Sequence, residues 1–216
     1  MIKYFHLPLL ATFVIALPAA KAADTGTIKG KVTIKGAKHN GNAVVYLEEV
    51  DGAERPATKH KMWQKEKQFS PQVLVVQKGD EVEFPNGDKI FHNVFSVSRP
   101  MRFDLGLYQS GETKTVKFKR TGVVDVYCNI HPQMVAKILI VENKFYFETG
   151  KDGSFSLEGV PPGTYDLVAW HPGGEPVEQK VTVSAGGRVT VDLTVKTSAD
   201  AETHTRKDGT PYGRYK

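Results

Sequence analysis

The chain has 216 residues, a formal charge of +5, 40% hydrophobic residues and one cysteine. That length holds one large or two small domains, and a positive excess this small and dispersed does not form a nucleic-acid-binding face. A single cysteine excludes an intrachain disulfide.

Residues 1–22 open with Lys3, run through the apolar LPLLATFVIALP and close on Ala20-Lys21-Ala22. A charged start, an apolar centre and an A-x-A end are the parts of a secretory signal, with cleavage expected after Ala22. The apolar run is too short to span a bilayer comfortably, so no transmembrane segment is expected once the signal is removed. The expected location is the periplasm, and the mature charge falls to +3. In that oxidising setting a lone thiol calls for protection, which a metal would give.

From residue 27 onward the signals are those of strands. TIKGKVTI, NAVVYLEEV, QVLVVQ, EVEF, HNVFSV, TKTVKFK, VVDVYC, VAKILIV, GSFSLEG, TYDLVAW and RVTVDLTV are short and rich in β-branched and aromatic residues. Turn residues separate them, among them the pairs Asn86-Gly87 and Asp152-Gly153. In VAKILIV, Ala136, Ile138 and Ile140 share one face, and Lys137, Leu139 and Val141 the other. No segment has the period of an amphipathic helix, so the fold class is all-β. The lysine-rich runs 59–67 and 114–120 read as solvated strand edges that block unwanted pairing. Residues 100–107 read as a loop. Residues 198–216 are polar and broken by Gly209, Pro211 and Gly213, and are expected to form a flexible tail.

The chemistry concentrates in YCNIHPQM, residues 127–134. Cys128, His131 and Met134 follow a C-x2-H-x2-M pattern, and His92 lies upstream in FHNVF. A thiolate, two imidazoles and a thioether are the donors of a mononuclear type 1 copper site, with Met134 as the weak axial ligand. Zinc also accepts cysteine and histidine, but rarely methionine. Asn93 and Pro132 are the supporting candidates: Asn93 to tie the ligand loops together by hydrogen bonds, Pro132 to stiffen the chain after His131. Pro100, Leu105 and Leu107 are candidates for an apolar rim with Pro132. His39, His60, His171 and His204 read as surface residues, and Met62 and Trp63 as strand-edge contacts. No nucleophile elbow, Walker loop, H-E-x-x-H or dinucleotide fingerprint is present. The chain also lacks the further histidines of a copper oxidase and the second cysteine of a dinuclear purple centre, so no enzymatic activity is expected.

Residues 69–141 resemble a cupredoxin, a Greek-key β-sandwich, and the ligand-loop spacing is similar to that of amicyanin. Residues 145–195 resemble a transthyretin-like or carboxypeptidase-regulatory-like sandwich. Gly153, Phe155, Leu157, Gly159, Val160, Pro161, Gly163, Tyr165 and Leu167 fill its G-x-F-x-L-x-G-V-P-x-G-x-Y-x-L signature. That family opens with strands like residues 30–32 and 42–47, which stand before the copper segment. The resemblance therefore implies a signal over 1–22, a transthyretin-like sandwich from 23–55 with 143–197, a cupredoxin over 56–142 inserted into it, and a tail over 198–216. Two consecutive domains are the alternative. Similar two-part chains accompany methylamine-utilisation and respiratory genes, which implies an exported protein of oxidative metabolism. The implied function is single-electron transfer between redox partner proteins. Copper handling without electron transfer, and a structural β-protein with no redox role, are the alternatives.

Overall fold

The computed structural model describes residues 24–198 and 204–212. The expected secretory signal lies outside them. The described residues form strands and no α-helix, and no helix is long and apolar enough to cross a membrane. The first strands are β1 (Gly26–Lys35), β2 (Val44–Leu47), β3 (Lys59–Lys61), β4 (Trp63–Lys65), β5 (Gln68–Ser70) and β6 (Val73–Gln77). Next come β7 (Glu81–Pro85), β8 (His92–Ser96), β9 (Phe103–Tyr108), β10 (Thr113–Lys117), β11 (Gly122–Tyr127) and β12 (Val135–Val141). The last are β13 (Tyr146–Glu148), β14 (Ser154–Val160), β15 (Gly163–Trp170), β16 (Val177–Val183) and β17 (Arg188–Lys196).

A three-stranded sheet, β14-β1-β17, and a four-stranded sheet, β13-β2-β15-β16, enclose one core. The alternation of β1 explains its place: Ile28, Val32 and Ile34 point inward between exposed lysines. β1 runs antiparallel to β14 and parallel to β17, so strands from both ends of the chain close this sandwich. The Asp152-Gly153 turn feeds β14. Gly153 sits at φ 79°, and a Cβ there would lie 2.1 Å from the Val32 carbonyl oxygen, so only glycine fits.

The second core lies between the five-stranded sheet β6-β12-β11-β8-β9 and the three-stranded sheet β10-β7-β3. Phe69, Phe84, Phe118, Ile138 and Met62 fill it. The lysine-rich runs do form edges: β3 and β10 flank β7, and Lys59 and Lys61 pair with Glu81 and Glu83. The expected loop at 100–107 is corrected, because Phe103–Tyr108 forms β9 against β8. Gly106, at φ 66°, interrupts its apolar pattern, so neighbouring β8 and not local composition makes this strand.

The two sandwiches stack. Val44 and Trp170 of one meet Val75, Leu139 and Val141 of the other in a third buried cluster. Beside it, both guanidinium nitrogens of Arg55 donate to the fully buried Asp80 carboxylate, at 2.9 and 2.6 Å. His60 Nε2 lies 2.8 Å from the same carboxylate, so this histidine is a network member and not the isolated surface residue expected. Burial pushes the Asp80 carboxyl up, but Arg55, the Thr58 and Gln77 N–H groups and His60 hold it well below the usual carboxylate range.

Part of the expected tail, residues 204–212, falls among the described residues. Residues 204–212 lie against β11 and the turn that follows it, held by ring stacking and hydrogen bonds. Few aliphatic residues are needed for such contacts, which is why composition suggested mobility.

Candidate metal centre

β8 begins at His92 and β11 ends at Tyr127, and the two strands pair through Phe95 and Tyr127. One end of one sheet therefore receives both His92 and Cys128. The turn after β11 is closed by Cys128 N–H to the Met134 carbonyl, 3.2 Å, and Met134 N–H to the His131 carbonyl, 3.0 Å. This returns the chain to β12 and brings His131 over Cys128.

The candidate donor atoms converge. Nδ1 of His92 and Nδ1 of His131 are 3.1 Å apart, and His131 Nδ1 is 3.7 Å from Cys128 Sγ. One donor atom from each of His92, Cys128 and His131 lies within 4.8 Å of the others. His92, Cys128 and Met134 are fully buried, whereas His131 is half-buried. Met134 packs in the same core cluster as Cys128.

Asp88 fixes the His92 ring. Its Oδ2 accepts a hydrogen bond from His92 Nε2 at 2.8 Å, which leaves the Nδ1 lone pair facing the cluster. The same carboxylate accepts the N–H groups of Glu66, 2.6 Å, and Lys67, 2.9 Å. Both residues have positive φ in the tight turn between β4 and β5. Asn86 secures this loop, accepting from Asp88 N–H and donating to the Ile90 and Tyr108 carbonyls. Asp88 escaped the sequence reasoning. Its only signal is an acidic residue four positions before His92, and a turn aspartate looks the same.

The electrostatics suit a cation. Burial opposes ionisation of the Cys128 thiol, but its contact with His92 and hydrogen bonds from the N–H groups of Asn93, Ile130 and His131 bring it below its ordinary value. Burial pushes the His92 imidazole down, and its contacts with Cys128 and Asp88 carry it above the usual value instead. Burial and the nearby His92 and Lys67 charges lower His131, which favours its neutral, metal-binding form. A thiolate, two imidazole nitrogens and a buried thioether fit a soft or borderline ion such as copper.

Other expected residues divide. Asn93 reaches the Cys128 sulfur through its main-chain N–H, while its side-chain amide donates to Asp104, 2.7 Å, and the Gly106 carbonyl, 3.0 Å, in β9. The link between the ligand loops is thus made by its backbone, not its side chain. Pro132 follows His131 and is half-buried. Pro100 packs on Gly122, at the opposite end of β11 from Cys128, and so does not join the expected rim. Leu105 packs against the core. Leu107 is 60% exposed, and Ile90 and Phe91, which precede His92, are exposed too. Met62 is fully buried in the core, and Trp63 is exposed.

Residues 56–141 match the family model "Copper binding proteins, plastocyanin/azurin family", and residues 131–196 match "Carboxypeptidase regulatory-like domain". No curated protein sequence matches the chain. Among solved structures, it is similar to a Cu-containing nitrite reductase from Thermus scotoductus SA-01, at 26% identity and TM-score 0.38. That match covers 40% of this chain and only 23% of the reductase. A purple cupredoxin from Nitrosopumilus maritimus matches at 22% identity and TM-score 0.34, over 38% of this chain and 98% of its own. A reduced amicyanin variant matches at 24% identity and TM-score 0.35, over 43% of this chain and 86% of its own. Two stretches of the chain thus match family models, one of copper-binding proteins and one of carboxypeptidase regulatory-like domains, and the two matches share residues 131–141.

Proposed function

We propose that the protein is an exported type 1 copper protein that passes single electrons between partner proteins. The observation that carries this reading is the convergence of one donor atom each from His92, His131 and Cys128 within 4.8 Å, with Met134 buried in the same core cluster as Cys128. Cys128 supplies the thiolate, His92 and His131 the imidazoles, and Met134 the soft axial donor. Bound copper would supply a one-electron Cu(II)/Cu(I) couple.

The residues around the centre account for its other requirements. Asp88 holds the His92 ring in place, and three N–H groups steady the thiolate. Such a fixed donor set limits rearrangement between oxidation states. His131 is the ligand nearest solvent, so a redox partner would approach from its side, beside exposed Phe91 and Leu107. No bond-making step is assigned to the chain. In this reading the copper unit, 56–142, is inserted into a sandwich formed by 23–55 and 143–197. The division of strands between the two cores supports that layout. Export follows from the signal-like residues 1–22.

Titration of the purified chain with Cu(II), recorded in the visible range and repeated with Cys128→Ser, tests the reading. An intense thiolate-to-copper band that disappears in the variant, with a reversible redox couple, supports it. Colourless protein would defeat it. A coloured protein without a reversible couple would point to copper handling.

A further inference from the structure

The segment 204–212 engages the three residues at the exit of β11. The His204 ring stacks on Tyr127, with centroids 4.3 Å apart and an interplanar angle of 11°. Tyr212 meets His204 edge-on at 5.1 Å and donates its hydroxyl to the Cys128 carbonyl at 2.7 Å. Lys207 N–H donates to Asn129 Oδ1 at 3.0 Å. Its ammonium group lies 2.6 Å from Asp104, the same carboxylate that binds the side chain of Asn93. The segment is itself ordered by a turn: Gly209 N–H donates to the Arg206 carbonyl, and Arg206 N–H to that of Thr210. Arg206 lies over the Tyr212 ring.

We infer that residues 204–212 are a positioning strap for the loop bearing Cys128, His131 and Met134. The inference rests on reading that loop as the metal loop. Cys128 and His131 are separated by two residues, and the Cys128–Asn129 peptide plane sets the direction of the chain between them. Tyr212 fixes the carbonyl of that plane, and Lys207 fixes the Asn129 side chain. The Ile130 and His131 N–H groups that steady the Cys128 sulfur follow directly. Through Asp104 and Asn93 the strap also reaches the residue next to His92. Tyr212, Lys207 and His204 thus act on the centre through other groups.

The test uses the full chain, Tyr212→Phe, and a chain ending at Ser198. In the metal-free state, Cys128 is fully buried and reacts with iodoacetamide only when its loop opens. Loss of one net hydrogen bond should speed labelling about fivefold in Tyr212→Phe, and loss of the whole strap more than about tenfold. After copper loading, the thiolate band and the reduction potential should both move, a change that a merely stabilising segment would not cause. Unchanged labelling in both variants overturns the strap, as does faster labelling with band and potential unmoved. Should the shortened chain fail to fold, Tyr212→Phe alone decides. A wild-type chain that stays colourless would defeat the copper reading, whereas a coloured chain with unchanged labelling would defeat only the strap.

Discussion

Asp88→Asn is the sharpest probe of how the centre is prepared. The Asp88 carboxylate serves three donors at once: His92 Nε2 and the N–H groups of Glu66 and Lys67. Glu66 N–H donates to Oδ1, whereas Lys67 N–H and His92 Nε2 share Oδ2. An asparagine that keeps its oxygen on Lys67 and His92 turns its NH2 group against the Glu66 N–H. The tautomer that leaves the Nδ1 lone pair facing Cys128 and His131 is kept, but the orienting charge and one acceptor of the turn are lost. A hydrogen bond to a charged group contributes about 1.5–3 kcal/mol, and loss of such an orienting carboxylate weakens metal affinity about 10- to 100-fold. Asp88→Ala goes further. Its site is 15% exposed, so water can receive the Nε2 proton, but the ring loses its fixed partner and the β4–β5 turn loses both its acceptors. Alanine should therefore harm both copper affinity and thermal stability more than asparagine does. Competition titration against a chelator gives the first ranking, and thermal melts of the metal-free chains give the second. Imidazole NMR of metal-free Asp88→Asn should show His92 still protonated at Nε2. Wild-type affinity in Asp88→Asn, or the reverse ranking of the two variants, would refute the argument.

Three further outcomes follow from the packing. Asp80→Asn leaves Arg55 without its counter-charge and should cost about 3–5 kcal/mol in urea denaturation. Because the folded Asp80 carboxyl lies below its ordinary value, its contribution is complete above the unfolded pKa of about 3.9 and is lost as pH falls through the folded value. The gap between wild type and Asp80→Asn should accordingly stay constant near neutrality and narrow only in strong acid. Gly153→Ala combines a left-handed backbone with a clash against the Val32 carbonyl, and should lose at least about 2 kcal/mol by the same assay. Leu139→Ala opens the contact between the sandwiches and should cost about 2–5 kcal/mol; a loss below about 1 kcal/mol would mean that the stack adds little to stability.

The all-β class was legible because β-branched runs separated by turn residues leave few other solutions. The C-x2-H-x2-M spacing likewise names donors that share one turn, and the fold brings Cys128, His131 and the distant His92 together. What stayed hidden depends on non-local partners. β9 exists because β8 lies beside it, and its glycine and charged residues give little sign of a strand. Asp88 gains its importance from a hairpin that ends some twenty residues earlier in the chain. The strap was missed for a related reason: a segment poor in aliphatic residues promises little hydrophobic burial, yet His204, Lys207 and Tyr212 bind by stacking and hydrogen bonds.

β12 shows why the second sandwich bears on the metal centre at all. The strand begins one residue after Met134, and each of its faces is committed to a different core. Ala136, Ile138 and Ile140 point into the core that contains Cys128 and Met134, whereas Leu139 and Val141 point into the contact with Val44 and Trp170. The period of two therefore reads as apolar on both sides, as expected of a strand buried on both faces. Lys137 is the exception on the outer face, and its ammonium group is met by Asp125 of β11 at 2.7 Å. A one-residue slip of β12 would exchange both sets of side chains at once, so packing on two cores pins its register more tightly than one core could. That register sets where the loop bearing Cys128 and His131 ends and where Met134 enters the core cluster it shares with Cys128. The regulatory-like sandwich thus has a physical route to the centre, through the back of the strand that anchors it.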